Sequence, residues 1–150
     1  MDDILKHKIQ TLLDQHRTMQ IATLRPDGWP QVTTVGYANN GFEIYFLCGK
    51  DSQKASNLAH DNRVSLAIDD DPAQVMEITG LSMAARAEPV DDPAEGENAL
   101  RMLFQRYPDQ TSMPGPLPTP ADVRIFRLTP TVISLLDYSK GFGHTELVTC

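Results

Sequence analysis

The chain has 150 residues, 41% hydrophobic and 22% charged, a composition that fits a soluble globular protein and excludes disordered, collagen-like and low-complexity classes. Thirteen Lys and Arg against twenty Asp and Glu give a formal charge of −7, a field that repels nucleic acid and anionic membrane surfaces. Any phosphate-bearing ligand must then be held by local groups. The length predicts one domain over 1–150, with a core large enough to need no disulfide or metal staple. Cys48 and Cys150 show no short pairing pattern, as in a reducing cytoplasm. The acidic start and the lack of a long apolar run give no signal peptide or membrane helix, so a cytoplasmic location without membrane contact is expected.

From Asp2 to Arg17, Ile4, Leu5, Ile9, Leu12 and Leu13 recur at helical spacing behind two capping aspartates, which predicts an amphipathic helix. Period-two alternation follows from Met19 to Leu24, and Arg25-Pro26-Asp27-Gly28 suits a type I turn. A return strand is expected over Trp29 to Ala38. Asn39-Asn40-Gly41 then supplies the positive-φ residues of a second turn before a strand over Phe42 to Cys48, completing a three-stranded meander. Ser52 to Ala59 reads as a short helix with Asp51 or Ser52 at its N-cap. Arg63 to Asp69 has the clean alternation of a half-buried strand, and Val75 to Val90 is a longer strand in which Gly80 marks a bulge or a close backbone approach. Asp92-Pro93 opens a helix through Tyr107 with Leu100, Leu103 and Phe104 inward. Five prolines between Pro108 and Pro120 predict a stiff connector, followed by strands over Val123 to Leu128 and Thr131 to Tyr138 and a tail from Ser139 to Glu146. Six or more strands in hairpins with few helices favour a small antiparallel barrel over a parallel sheet.

The glycine patterns of dinucleotide and nucleoside triphosphate sites are absent, as are the paired His and Cys motifs of zinc sites. His144-Thr145-Glu146 imitates part of a zinc deaminase site but lacks the paired cysteines, and His7, His16, His60 and His144 show no ligand spacing. Ser52-Gln53-Lys54 is more informative. At a helix start it combines unpaired amides, a hydroxyl and an ammonium group, which is the donor set of a phosphate cradle. An ordinary capped helix with an exposed Lys has the same sequence.

The order of features from Met19 to Ile68 goes further. Ala22-Thr23-Leu24 precedes Pro26-Asp27-Gly28, then come Pro30-x-Val32-Thr33-Thr34-Val35, Tyr45-Phe46-Leu47-Cys48, Ser52-x-Lys54-Ala55-x-Asn57-Leu58 and Asn62-Arg63-Val64-Ser65-Leu66. This stretch resembles the core of the pyridoxamine 5′-phosphate oxidase-like, flavin-binding split-barrel family. Arg86 to Val90 and Asp137 to His144 resemble further pieces of family members. The resemblance implies a mainly β fold, a six-stranded antiparallel split barrel with flanking helices, forming a homodimer with FMN in a cleft between the subunits. It places the phosphate at Ser52, Gln53 and Lys54, the flavin-contacting strand at Thr33, Thr34 and Val35, and the strand end beside the ring at Leu47 and Cys48. The oxidases proper carry Arg where Gln53 and Thr33 stand.

Strand alternation puts Thr33 and Val35 on one face and Thr34 on the other, so backbone amides must supply part of the contact. Cys48 reads as a small buried hydrophobe, and Trp29 as either a cover for the ring or a turn residue. The resulting expectation is a cytoplasmic FMN-dependent oxidoreductase acting on a small molecule. No acid or base can be named for it, and efficient oxidation of pyridoxine or pyridoxamine 5′-phosphate is not expected. A non-catalytic flavin module is the alternative, as is a related barrel holding deazaflavin or haem, the last with His60 or His144 as axial ligand.

Overall fold

The computed structural model describes residues 2–109 and 115–150. Asp2 caps helix α1 (Asp3–Gln15) by accepting from the Ile4 amide at 2.8 Å, and Ile9 and Leu13 form the buried face of the helix. The strands are β1 (Thr18–Leu24), β2 (Pro30–Gly36), β3 (Ala38–Asn40), β4 (Glu43–Gly49), β5 (Arg63–Asp69), β6 (Thr79–Pro89), β7 (Val123–Asp137) and β8 (Thr145–Thr149). Helix α2 (Gln53–His60) joins β4 to β5, and α3 (Pro93–Gln105) follows β6. Every pairing is antiparallel, in the order β2-β1-β5-β6-β7-β4-β3 with β8 added to β7.

β2 and β3 lie at opposite ends of this seven-strand path, yet only Tyr37 separates them in sequence. Laid flat, the path would be roughly 29 Å wide at the usual ~4.8 Å spacing, whereas one intervening residue spans about 7 Å at most. The sheet therefore curls until its edges approach, which is the expected split barrel, built from eight strands rather than six. Its interior holds one cluster including Met19, Ile21, Phe46, Leu66 and Ile133, and a smaller cluster of Tyr45, Ala99, Leu100 and Ile125 lies beneath α3.

The closure also corrects the predicted meander, because the segment from Trp29 to Ala38 divides at Gly36. β2 pairs with β1, while β3 pairs with β4 on the other side of the opening. Tyr37 makes the crossing. Its ring is fully buried, its amide donates to the Arg17 carbonyl at 3.0 Å, and its hydroxyl donates to the Leu13 carbonyl at 2.6 Å. The Arg106 guanidinium lies 5.3 Å from this ring and donates to the His16 carbonyl at 2.6 Å and to Asn39 Oδ1, tying the end of α3 to α1 and β3. Only Gly41 of the Asn39-Asn40-Gly41 turn has positive φ, at 61°.

Val75–Glu77 forms a 3-10 turn, so the strand predicted from Val75 begins at Thr79. The two strands predicted after the proline-rich segment are the single strand β7. It passes Pro130, which has no amide proton, by a bulge: Ala84 pairs with Val132 and Ala85 with Pro130, leaving Thr131 over to donate its hydroxyl to the Ala84 carbonyl at 3.2 Å. The predicted tail becomes a 3-10 turn at Tyr138–Lys140 followed by β8, whose Val148 reaches the core. Part of the proline-rich connector, residues 110–114, lies outside the described residues. No helix among the described residues is long and apolar enough to cross a membrane.

Candidate cofactor site

Ser52 caps α2: its Oγ accepts from the Ala55 amide at 3.1 Å and its carbonyl accepts from the Ser56 amide at 3.2 Å. The amides of Gln53 and Lys54, one and two residues into the helix, have no acceptor among the described residues, as the first turn of a helix requires. Lys54 Nζ donates to Thr33 Oγ1 at 3.1 Å, joining the helix start to β2. Gln31, Thr33 and Val35 form the half-buried row of β2, whereas Val32 and Thr34 face outward. Two free amides, an ammonium group and a hydroxyl thus converge, a donor set that fits a phosphate dianion.

Asn57 fixes this geometry. It is fully buried, its Nδ2 donates to Thr23 Oγ1 at 2.9 Å and to Gln31 Oε1 at 3.2 Å, and its Oδ1 accepts from Gln53 Nε2 at 2.8 Å. The Gln53 side chain is therefore turned back along the helix, leaving its backbone amide as the group it offers a phosphate. Asn57 was quoted in the sequence pattern without a role. The signal was there: it is an amide on the face of α2 that also carries the buried Leu58. Arg25, which the sequence reading used only as a turn residue, shares a cleft of about 310 Å³ with Gln31 and Gln53 and is paired with Asp27 at 2.9 Å.

The predicted residues do not all meet. Ser52, Gln53, Lys54 and Thr33 come together, and Val35 continues the row of Thr33, but Thr34 is on the opposite side of β2. Cys48 is 7% exposed inside the barrel cluster, while Leu47 points the other way and packs with the cluster under α3. Trp29 is 71% exposed at its turn. His60 is exposed at the end of α2, and His144 Nε2 is buried without a hydrogen-bond partner among the described residues, 3.7 Å from Glu146 Oε1. Among the described residues, no group of three or more His, Cys, Asp or Glu side chains is placed to hold a metal ion.

Away from the cradle, Arg127 gathers Glu95 at 2.6 Å and Glu88 at 3.1 Å, and the Tyr45 hydroxyl donates to Glu95 at 2.8 Å. Hydrogen bonds from Arg127 and Tyr45 hold the Glu95 carboxyl below its usual range, and burial next to Glu95 pushes the Tyr45 hydroxyl up to about 12. This network fastens α3 to the sheet.

The family model for pyridoxamine 5′-phosphate oxidase matches residues 5–137, most of the chain and all of the cradle. The chain belongs to this family. No curated protein matches it. Among solved structures, conserved hypothetical protein Rv2991 from Mycobacterium tuberculosis is 25% identical with a TM-score of 0.77, over 97% of this chain and 91% of that one. A haem-binding protein from Mycobacterium smegmatis is 19% identical with a TM-score of 0.79, over 99% of this chain and 59% of its own. The haem storage protein HutZ from Vibrio cholerae is 20% identical with a TM-score of 0.66, over 97% of this chain and 94% of its own. The haem proteins share the fold with this member of the oxidase family at identities too low to carry a ligand across.

Proposed function

We propose that this member of the family binds FMN as a homodimer with two equivalent sites and serves as a cytoplasmic oxidoreductase for a small molecule. The observation that carries the reading is the contact of Lys54 with Thr33 at the open start of α2, in a chain whose family is named for an oxidase. Lys54, the Gln53 and Lys54 amides and the Thr33 hydroxyl would hold the phosphate, with Val35 further along the same row of β2. The flavin, when bound, supplies the electron transfer. The chain contributes charge at the phosphate, a fixed helix start through Asn57, and an edge strand against which a ring can lie. Dimerisation is supported by that edge: among the described residues β2 pairs on one side only, and Val32 and Trp29 beside it are 64% and 71% exposed. Two free cysteines accord with a reducing compartment. Pyridoxine and pyridoxamine 5′-phosphates are poor substrates on this reading, since a second phosphate needs its own basic cluster beside the flavin, and next to the cradle the described residues offer only Arg25, already paired with Asp27.

A haem reading has one observation in its favour, the buried His144 Nε2, which has no hydrogen-bond partner among the described residues although Glu146 lies 3.7 Å away, an atom with the chemistry of an axial ligand. The absorption spectrum of the purified protein separates the two: a flavin gives a two-banded visible spectrum, a deazaflavin a single shorter-wavelength band, and haem an intense Soret band that His144→Ala would shift. Calorimetric titration with FMN then tests the cradle. A charge-assisted hydrogen bond is worth ~1.5–3 kcal/mol, so Lys54→Ala is expected to weaken FMN about 10- to 100-fold. Unchanged affinity would refute the cradle. Turnover of a reduced nicotinamide with an electron acceptor distinguishes the enzyme from a flavin carrier.

A further inference from the structure

We infer that the mouth of the barrel, on the side of α2 away from Lys54, is a second binding site, for a small organic anion with a flat apolar body. A cleft of about 690 Å³ opens there between α2 and the ends of β4, β6 and β7, lined among others by Lys50, Ser52, Ser56, Ala87, Arg124 and Phe126. That volume lies within the ~300–1,000 Å³ of small-molecule pockets, and barrel mouths are a recurrent place for them. Register explains the lining. Phe126 pairs with Phe46 and Arg124 with Cys48, so Arg124 shares the interior-facing side of β7 with Phe126 but lies two residues nearer the open end. Phe126 is 5% exposed and stacked on Phe46 at 5.5 Å between ring centres, a rigid aromatic floor.

Among the described residues the two cations at the rim have no hydrogen-bonded or ion-paired acid. Arg124 makes no hydrogen bond or ion pair with any described residue. Lys50 forms no hydrogen bond with any described residue, and the acid that feels its charge, Asp122, already accepts from the Thr119 amide at 3.0 Å and from its hydroxyl at 3.1 Å. Of the two acids lining the cleft, Glu88 is engaged by Arg127 at 3.1 Å, which leaves Asp51; Asp91 and Asp92 line the adjoining cleft with the same two cations, and Asp92 is engaged in capping α3. In a protein with a net charge of −7, a spare guanidinium and ammonium group above an aromatic floor recognise a carboxylate or phosphate carried on a ring. The Ser56 hydroxyl is placed to add a donor. The inference does not rest on the flavin reading, because the cradle cation is Lys54 and the cleft cations are Lys50 and Arg124.

The test is amide NMR on the full chain titrated with phenyl phosphate, benzoate and the neutral benzyl alcohol. The anions are expected to shift the Ser56, Ala59 and Ala87 amides and to bind at least tenfold more tightly than benzyl alcohol. Arg124→Gln and Lys50→Gln are each expected to weaken the anions about five- to tenfold, Arg124→Lys to retain most of the affinity, and Lys54→Ala to leave the anions' affinity within about twofold, whatever it does to the α2 amides of the free protein. The spectrum itself reports that each variant is folded. Phenyl phosphate tighter than benzoate points to phosphate esters as the class, and the reverse order to carboxylates. Absence of binding, equal binding of benzyl alcohol, insensitivity to Arg124→Gln, or shifts centred on Thr33 and Lys54 and abolished by Lys54→Ala would each overturn the inference. The last outcome would also leave the flavin cradle intact as a proposal.

Discussion

Replacing Asn57 with Ala removes three hydrogen bonds from a site with no solvent exposure, those to Thr23, Gln31 and Gln53. Gln31 is only half-buried and Gln53 lies at the helix start, so water replaces much of what those two lose. Thr23 is 1% exposed, and its stranded hydroxyl costs about 1–3 kcal/mol. The small void left by the amide brings the expected loss to about 2–4 kcal/mol, a large share of a domain stability of ~5–15 kcal/mol. Urea denaturation read by circular dichroism measures it. The cycle with Thr23→Val sharpens the test: removing both partners should destabilise less than the sum of the single changes, since the stranded hydroxyl is then gone. FMN affinity should fall with Asn57→Ala, because Lys54 is no longer held over Thr33. A loss below about 0.5 kcal/mol, or strict additivity with Thr23→Val, would refute the assignment of Asn57 as the post of this site.

Gly80→Ala is expected to cost about 1–3 kcal/mol, since a Cβ there would sit 2.9 Å from the Ile68 carbonyl oxygen; an unchanged urea midpoint would show that β5 and β6 yield easily. Burial pushes the Tyr37 hydroxyl up to about 12, as it does Tyr45, so each favours the folded state fully below the unfolded value near 10 and loses that contribution as pH rises towards 12. Stability should therefore fall across that interval, and Tyr37→Phe should lessen the fall; a pH-independent denaturation midpoint there would contradict it. Deleting 145–150 removes β8 with the buried Val148 and should lower stability by a few kcal/mol, measurable by thermal unfolding; an unaltered midpoint would mean the strand contributes only contact, not stability.

The residues with local signals were legible. Capping chemistry marks helix starts at Asp2 and at Asp51 or Ser52, and Pro93 marks one after Asp92; Asp2, Ser52 and Asp92 are the caps, each side chain accepting from an amide in its own first turn. Gly80 was read as a bulge or a close approach, and the second holds. The crossing at Gly36 was hidden because β2 and β3 share one continuous β-rich pattern, and what separates them is burial of Tyr37 against Leu13 and Arg106, the latter about seventy residues on. Pro130 concealed the unity of β7, since a missing amide reads as a break unless the partner strand is known to shift register. The pattern singles out Ser52, Gln53 and Lys54 at a helix start, which the fold provides, but not the turning back of Gln53 to Asn57; that depends on which face of α2 meets β1, a tertiary fact.

Helix α2 has eight residues, too few to persist in isolation, since isolated helices shorter than ~12–15 residues are marginal in water. Its position is therefore imposed by what it touches, and the contacts on its polar side all run to β1 and β2 through Asn57 and Lys54. β2 is at the same time an end strand, with one edge unpaired among the described residues. A partner laid along that edge would press on Thr33 and Gln31 from outside while Lys54 and Asn57 hold them from within, so the helix start and the strand edge cannot move independently. Strand pairing and phosphate binding at this corner would stabilise the same arrangement of side chains, and each would then strengthen the other by the same factor.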